Sequence, residues 1–187
     1  MIVVVGCTRG GKDCVSKHIV EKTGYSFVVT YAERPMRDYE ENGREHWFVS
    51  KSKMDKLYSS KEAILKTHIV DPVLKRKDPN YNGYRYCTLA EDLQKQEQVI
   101  ILDMKGLSDL RDAGIKATVL YIDCPKEIRR ARAVINGDDL KAFEKRCRDE
   151  EKQFSNIKDK DIDFIIKNTG TLEELYDKVD EILDFII

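Results

Sequence analysis

Residues 6 to 13 read Gly6-Cys7-Thr8-Arg9-Gly10-Gly11-Lys12-Asp13, and the chemistry that this spacing suits is the binding of a polyphosphate. The glycines let the backbone turn several N–H groups toward one point, and the Lys12 ammonium adds a positive charge for the phosphates furthest from a sugar. An apolar run, Ile2 to Val5, enters the loop, and helix-forming residues, Lys12 to Lys22, leave it. The positive end of that helix dipole therefore points at the same place. Ser or Thr commonly ends such a loop, with its hydroxyl on Mg²⁺. Asp13 stands there instead, a hard-oxygen ligand for the same ion that also adds negative charge near the phosphates. The alternative is a plain tight strand-to-helix connection. The strand before, the helix after and the Gly-Lys pair at the required distance favour phosphate binding.

Two further groups fit phosphate chemistry. Val99-Ile100-Ile101-Leu102-Asp103 is an apolar strand ending in an acid, a place from which a carboxylate can organise Mg²⁺ and its waters. Arginines recur at 34 and 37, at 129, 130 and 132, and at 146 and 148. Phosphoryl transfer is mostly positioning and neutralisation of charge, which guanidinium forks do well. Arg129 and Arg132 share a helix face one turn apart, whereas Arg130 and Arg148 read as solvated surface charges. Cys7 is either a small residue in a tight loop or a thiol activated at a helix N-terminus, and the former is preferred. The other cysteines, 14, 87, 124 and 147, form no C-x-x-C pair, so neither a disulfide framework nor a zinc site is expected. His18, His46 and His68 have no metal-binding spacing.

The elements that must position these groups alternate along the chain. Strands are expected at Ile2–Val5, Phe27–Val29, Val99–Leu102, Thr118–Ile122 and Phe164–Ile166. Helices are expected at Lys12–Lys22, Thr88–Gln96, Leu107–Ala113, Lys126–Ile135, Leu140–Ser155 and Leu172–Phe185, the last opened by a capping box at Thr171 and Glu174. This alternation implies an α/β fold with a mostly parallel sheet, helices on both faces, and ligands beyond the carboxyl ends of the strands. From Tyr31 to Tyr86 the pattern breaks. No long strand of the central-sheet kind is expected in this insertion, and Asp71 to Asn82, with its basic Lys75-Arg76-Lys77 run, reads as a loop with a solvated face.

Charged residues make up 36% of the 187, yet 33 basic and 34 acidic side chains nearly cancel. That balance argues against coating nucleic acid or an anionic membrane. No apolar run approaches the roughly 20 residues that span a bilayer, and the N-terminus shows no signal-peptide pattern, so a cytoplasmic location is expected. The oligomeric state is left open.

Thr30-Tyr31-Ala32-Glu33-Arg34-Pro35-Met36-Arg37, then Glu40, Asn42-Gly43 and His46-Trp47-Phe48-Val49-Ser50 resemble the acceptor-binding segment of guanylate kinases, which runs Ser-x-x-x-Arg-x-x-Arg, Glu, an Asn-Gly or Asp-Gly turn, and Tyr-x-Phe-Val-Ser. The phosphate loop, Leu102-Asp103 with Gly106, Pro125 before an arginine-bearing helix, and Ile166-Lys167-Asn168 before Leu172-Glu173-Glu174-Leu175 fall in the same order. The resemblance implies a phosphate-loop NTPase-type core at 1–30 and 87–187, a nucleoside-monophosphate-binding insertion at about 31–86 and a lid at about 133–142, insertion and lid closing over the nucleotides. It also implies ATP and Mg²⁺ as cofactors and transfer of the γ-phosphoryl group to GMP or dGMP.

By the same resemblance, Gly6, Thr8, Arg9, Gly10, Gly11, Lys12, Asp13, Cys14 and Asn168 would hold ATP, with Asp13 and Asp103 at the metal. Thr30, Arg34 and Arg37 would bind the acceptor phosphate, supported by Glu40. His46 takes the place of a phosphate-binding Tyr, and Tyr86 and Thr88, with Cys87 where the family has Gly, would lie near the acceptor phosphate and base together with Asp103. Arg132, with Arg129, would meet the donor phosphates, and Arg146 would bridge donor and acceptor beside Lys12. The family's second acid after Asp103 is missing, and Ile64-Leu65-Lys66-Thr67 offers no counterpart to its guanine-reading Glu. A deoxynucleoside monophosphate kinase of other or broader base preference, or a non-catalytic binding module, is therefore the alternative. A GTPase-like switch is disfavoured because the chain lacks Asn-Lys-x-Asp.

Overall fold

Val3, Val4 and Val5 are fully buried, as β-branched residues covered on both faces of a sheet should be. The computed structural model describes every residue except Glu45, Asp71 and 156–160, and for Pro72 and Val73 the backbone alone. In chain order the elements begin β1 (Ile2–Gly6), α1 (Lys12–Thr23), β2 (Ser26–Phe27), β3 (Thr30–Ala32), β4 (His46–Phe48), α2 (Lys51–Ser59) and β5 (Ala63–Ile69). They continue α3 (Pro72–Lys77), β6 (Tyr84–Leu89), a 3-10 turn (Ala90–Leu93), β7 (Gln98–Ile101), α4 (Met104–Asp112) and β8 (Thr118–Asp123). The last are α5 (Lys126–Ile135), α6 (Leu140–Phe154), β9 (Phe164–Lys167) and α7 (Leu172–Ile186). Two compact units result: Met1–Phe27 with Glu97–Leu107 and Lys116–Ile187, and Val28–Gln96 with Ser108–Ile115.

The first unit holds a parallel sheet of order β2-β7-β1-β8-β9. Its register sets Val4 between Ile101 and Leu120, and Ile122 beside Ile166. Ile2, Val4, Leu120, Ile122 and Ile166 pack with Val15 and Ile19 of α1 and Leu175, Val179 and Leu183 of α7. The other face carries Val5 and its register partner Tyr121, whose ring stacks on Phe154 of α6 at 5.4 Å. Helices thus cover both faces, as the alternating pattern implied. Gly24, at φ 75, stops α1 by donating its N–H to Val20 O. Asp139 caps α6, and Thr171 with Glu174 closes the expected capping box on α7.

The second unit holds a four-stranded sheet of order β4-β3-β6-β5, with β3 parallel to β4 and β6 antiparallel to both β3 and β5. Several sequence expectations are corrected here. The segment 88–96 is not a helix: Thr88 and Leu89 continue a strand whose pairing sets Thr88 against Ile64, and only a 3-10 turn follows. Its Tyr-Arg-Tyr-Cys-Thr-Leu composition suits a half-buried sheet surface. The insertion also carries a seven-residue strand, β5. Within the expected loop at 71–82, Pro72–Lys77 forms helix α3, with proline at its first position; Asp71 lies outside the described residues. The expected strand Phe27–Val29 ends at Phe27, and α4 starts at Met104, ahead of Leu107, because Asp103 accepts from Gly106 N–H at 2.8 Å. No helix among the described residues is long and apolar enough to cross a membrane.

Leu120 is fully buried in the main core, so Leu120→Ala should lower the unfolding free energy by about 3 kcal/mol. Thr171→Ala should lower it by about 1 kcal/mol through the lost cap. Urea denaturation of the two variants checks these values, and a loss at Leu120 no larger than at Thr171 would contradict the packing described.

Candidate active site

In the first unit, β1 delivers Gly6 to the loop, and Arg9 (φ 58) and Gly11 (φ 103) both take left-handed backbone. Successive residues turned in this way aim their N–H groups at one side, forming a concave anion site. At Gly10 a Cβ would stand 2.8 Å from Cys7 O, so only glycine fits. Asn168, 3% exposed just beyond β9, fastens the loop from behind: its Nδ2 donates to Gly10 O at 2.8 Å and its Oδ1 accepts from Arg132 Nη2 at 3.1 Å. Arg132 Nη1 also reaches Arg9 O at 3.3 Å. Lys12 Nζ donates to Cys7 O at 3.0 Å. Burial pulls the Lys12 ammonium below its ordinary pKa, and the Glu150 and Asp13 carboxylates oppose that shift.

Two cavities flank the loop. One, of about 540 Å³, is lined by Thr8, Lys12, Asp13, Asp138, Arg146 and others. The second, of about 400 Å³, has Arg132, Asn136 and Asn168 as polar walls and Leu172 and Leu175 as an apolar floor, with Asp13 and Cys14 at its edge. The loop's capacity for anions is visible directly, since Thr8 N–H donates to the Glu150 carboxylate at 2.8 Å. Among the described residues no three His, Cys, Asp or Glu side chains gather into a metal cluster. Mg²⁺ needs only one or two carboxylates beside phosphate oxygens and water, and Asp13, in the first turn of α1, is placed to be one.

The proposed residues are not all brought together. Arg129 lies at neither cavity: it is 4% exposed, and donates to Cys124 O at 3.0 Å and to Cys147 Sγ at 3.2 Å, so it packs between α5 and α6. Asp103 serves as the cap of α4. Cys7 is buried, and desolvation pushes its thiol up to about 11, the reverse of activation. Cys14 is exposed. Sequence reasoning missed Glu150 and Asp138. Arg146 at i and Glu150 at i+4 were a readable helix pair, but nothing local connects Glu150 with Thr8, 142 residues away.

In the second unit the register sets Thr30 beside His46, and Thr30 Oγ1 and His46 Nδ1 share a hydrogen bond of 2.7 Å. Arg34 forks onto both oxygens of Glu40, and Glu40 Oε2 also accepts Arg37 N–H at 2.8 Å. The Arg34 guanidinium holds the Glu40 carboxyl down at about 2. Arg34 stacks over Phe48 at 5.1 Å from the ring centre, and Tyr86 stands 5.8 Å from the His46 ring. Arg37 is exposed, with Nη1 2.7 Å from Tyr39 Oη. Strand pairing puts Ala32 opposite Tyr86 and Tyr31 opposite Cys87, so Tyr86 and Thr88 share the face of Thr30, and Cys87 points the other way, onto Met54. A side chain there leaves the Thr30 face clear.

The sequence and the fold agree with known proteins. The family model for guanylate kinase matches residues 1–185. Guanylate kinase 2, chloroplastic/mitochondrial, of Oryza sativa subsp. japonica is 24% identical over 98% of this chain, which spans 63% of that relative's length. A guanylate kinase of Chromohalobacter salexigens is 26% identical over 80% of this chain and 67% of its own. Among solved structures, guanylate kinase from Anaplasma phagocytophilum superposes with a TM-score of 0.62 at 19% identity, covering 99% of this chain and 85% of that one. A shikimate kinase from Acinetobacter baumannii, in complex with shikimate, gives 0.52 at 14%, covering 99% and 91%. The two structures share the α/β fold, and the match along nearly the whole sequence places this chain in the guanylate kinase family.

Proposed function

We propose that the protein is an ATP- and Mg²⁺-dependent nucleoside monophosphate kinase acting on GMP or dGMP. One observation supports the reading: the chain has two separate groups of cationic side chains suited to anions, the loop with Lys12 in one unit and Arg34 and Arg37 beside Glu40 in the other. A scaffold module needs neither. Thr30 and His46 join the second set and orient the acceptor phosphate, whose oxygen attacks the γ-phosphorus in line while the bond to the ADP oxygen breaks. Lys12, Arg132 and Arg146 neutralise the charge that moves to the leaving oxygen. Asp13 would hold Mg²⁺, which would supply further neutralisation of phosphate charge. The nucleoside of ATP occupies the second cavity, between Arg132 and Leu172. In this reading 1–30 and 87–187 form the core, about 31–86 the acceptor insertion and about 133–142 the lid. Five free cysteines suit a reducing, cytoplasmic setting.

A second reading keeps the mechanism and changes the base. The β5 sequence Ala63–Ile69 contains no carboxylate, and its register shifts between Ile64 and Thr67 with Leu65 at φ 49. A guanine site without an acceptor for the ring N–H groups loses discrimination, which favours a broader deoxynucleoside monophosphate kinase.

A coupled ADP assay with GMP, dGMP, dTMP, dCMP and AMP should find turnover that Lys12→Ala lowers by about 10²-fold or more. Arg37→Ala should raise the KM of the acceptor by about tenfold. Folded protein indifferent to every monophosphate would turn the assignment to a binding module. Iodoacetamide followed by mass spectrometry should label Cys14 and spare Cys7, and Mg²⁺-ATP should slow the labelling of Cys14; unchanged labelling would place the nucleotide elsewhere.

A further inference from the structure

Three donors around the phosphate loop, the side chains of Arg9 and Arg146 and the Thr8 N–H, are already matched with acids of the same unit. Arg9 Nε donates to Asp138 at 2.7 Å, and Arg9 holds the Asp138 carboxyl below its ordinary pKa. Glu150 goes further, because it reaches the loop backbone. One of its oxygens accepts Thr8 N–H at 2.8 Å and the other faces Arg146 Nε at 3.2 Å. Its side chain is 13% exposed, against 68% for Arg146. Thr8 and Arg146 line one cavity with Lys12, and the Glu150 charge acts on the Lys12 ammonium.

We propose that the Glu150 carboxylate is an internal anion of the phosphate cradle, displaced when a nucleotide phosphate enters, so that the entry of phosphate also releases Arg146. The proposal rests on the reading that the loop binds phosphate. The Thr8 N–H is a single donor and cannot give a full hydrogen bond to Glu150 and to a phosphate oxygen together. A carboxylate left in place would also repel the newcomer across a poorly screened site. Arg146 and Glu150 sit one turn apart on α6, so their pairing is local and easily exchanged, and a phosphate can replace the carboxylate as partner to both Thr8 and Arg146. Glu150 thus sets phosphate affinity below what the loop alone would give, and keeps Arg146 occupied until a phosphate arrives.

Calorimetric titration of the full chain with inorganic pyrophosphate tests this without turnover. Glu150→Gln, which keeps the shape, and Glu150→Ala, which removes the acceptor, should each bind pyrophosphate at least about tenfold more tightly than wild type. Wild-type protein gives a check that needs no variant: in an NMR titration the Thr8 amide and the Arg146 Nε resonances should move together as pyrophosphate binds. Affinities within about twofold of wild type, weaker binding by both variants, or an Arg146 signal that stays still would each overturn the proposal. If no form binds although thermal melts show all to be folded, the phosphate-loop reading fails and the inference falls with it.

Discussion

Backbone N–H groups turned to one side of a loop must be satisfied, and much of the first unit is arranged around that demand. The turn requires Arg9 in left-handed backbone, which an L side chain adopts only when its surroundings hold it. Asn168 supplies the hold by bonding Gly10 O, while its own N–H is fixed on Asp123 O at 2.8 Å. The loop, between β1 and α1, is therefore anchored to the ends of β8 and β9. Arg132 joins the same group through Asn168 and Arg9 O. A change at residue 168 acts on the phosphate loop although the sequence separates them by more than the whole acceptor segment.

The second unit follows another logic. Arg34 and Glu40 are 8% exposed each, and a buried ion pair is weak evidence of stability because desolvation offsets its attraction. What the pair does achieve is a fixed orientation. Both guanidinium arms of Arg34 are engaged, its plane lies on Phe48, and the remaining capacity of Glu40 is spent on the Arg37 backbone. The Arg37 side chain alone projects into solvent. Arg34 is thus locked in orientation while the Arg37 side chain is exposed, a difference that Ser-x-x-x-Arg-x-x-Arg spacing by itself does not reveal.

The two sheets differed in how readable they were. Strands β1, β7 and β8 were legible because their central residues are buried and mostly apolar, α5 because of its periodicity, and α7 because periodicity and a capping box agree. The four-stranded sheet of the second unit was not, since its strands carry Lys, His, Arg and Tyr, and a run such as Tyr84–Leu89 has no apolar alternation to announce it. Helix α3 was hidden by its opening proline and basic cluster, which also mark loops. Within the candidate site, the loop could be found by spacing, and Arg34, Arg37 and Glu40 by their resemblance to the guanylate kinase pattern. The burial of Arg129 could not, because Cys147, its partner, lies on another helix. The same holds for Glu150, whose meaning depends on a residue far upstream.

The strand order has a consequence for the way this chain matures. β1 precedes the other strands of its sheet in the chain, yet it is the middle of that sheet, with β7 on one side and β8 on the other. Neither neighbour exists until residues 98–123 have been made. Domains dominated by such distant pairings collapse slowly and expose apolar strands meanwhile. A nascent Ile2–Val5 segment therefore stays an unpaired hydrophobic strand until both neighbours have been made.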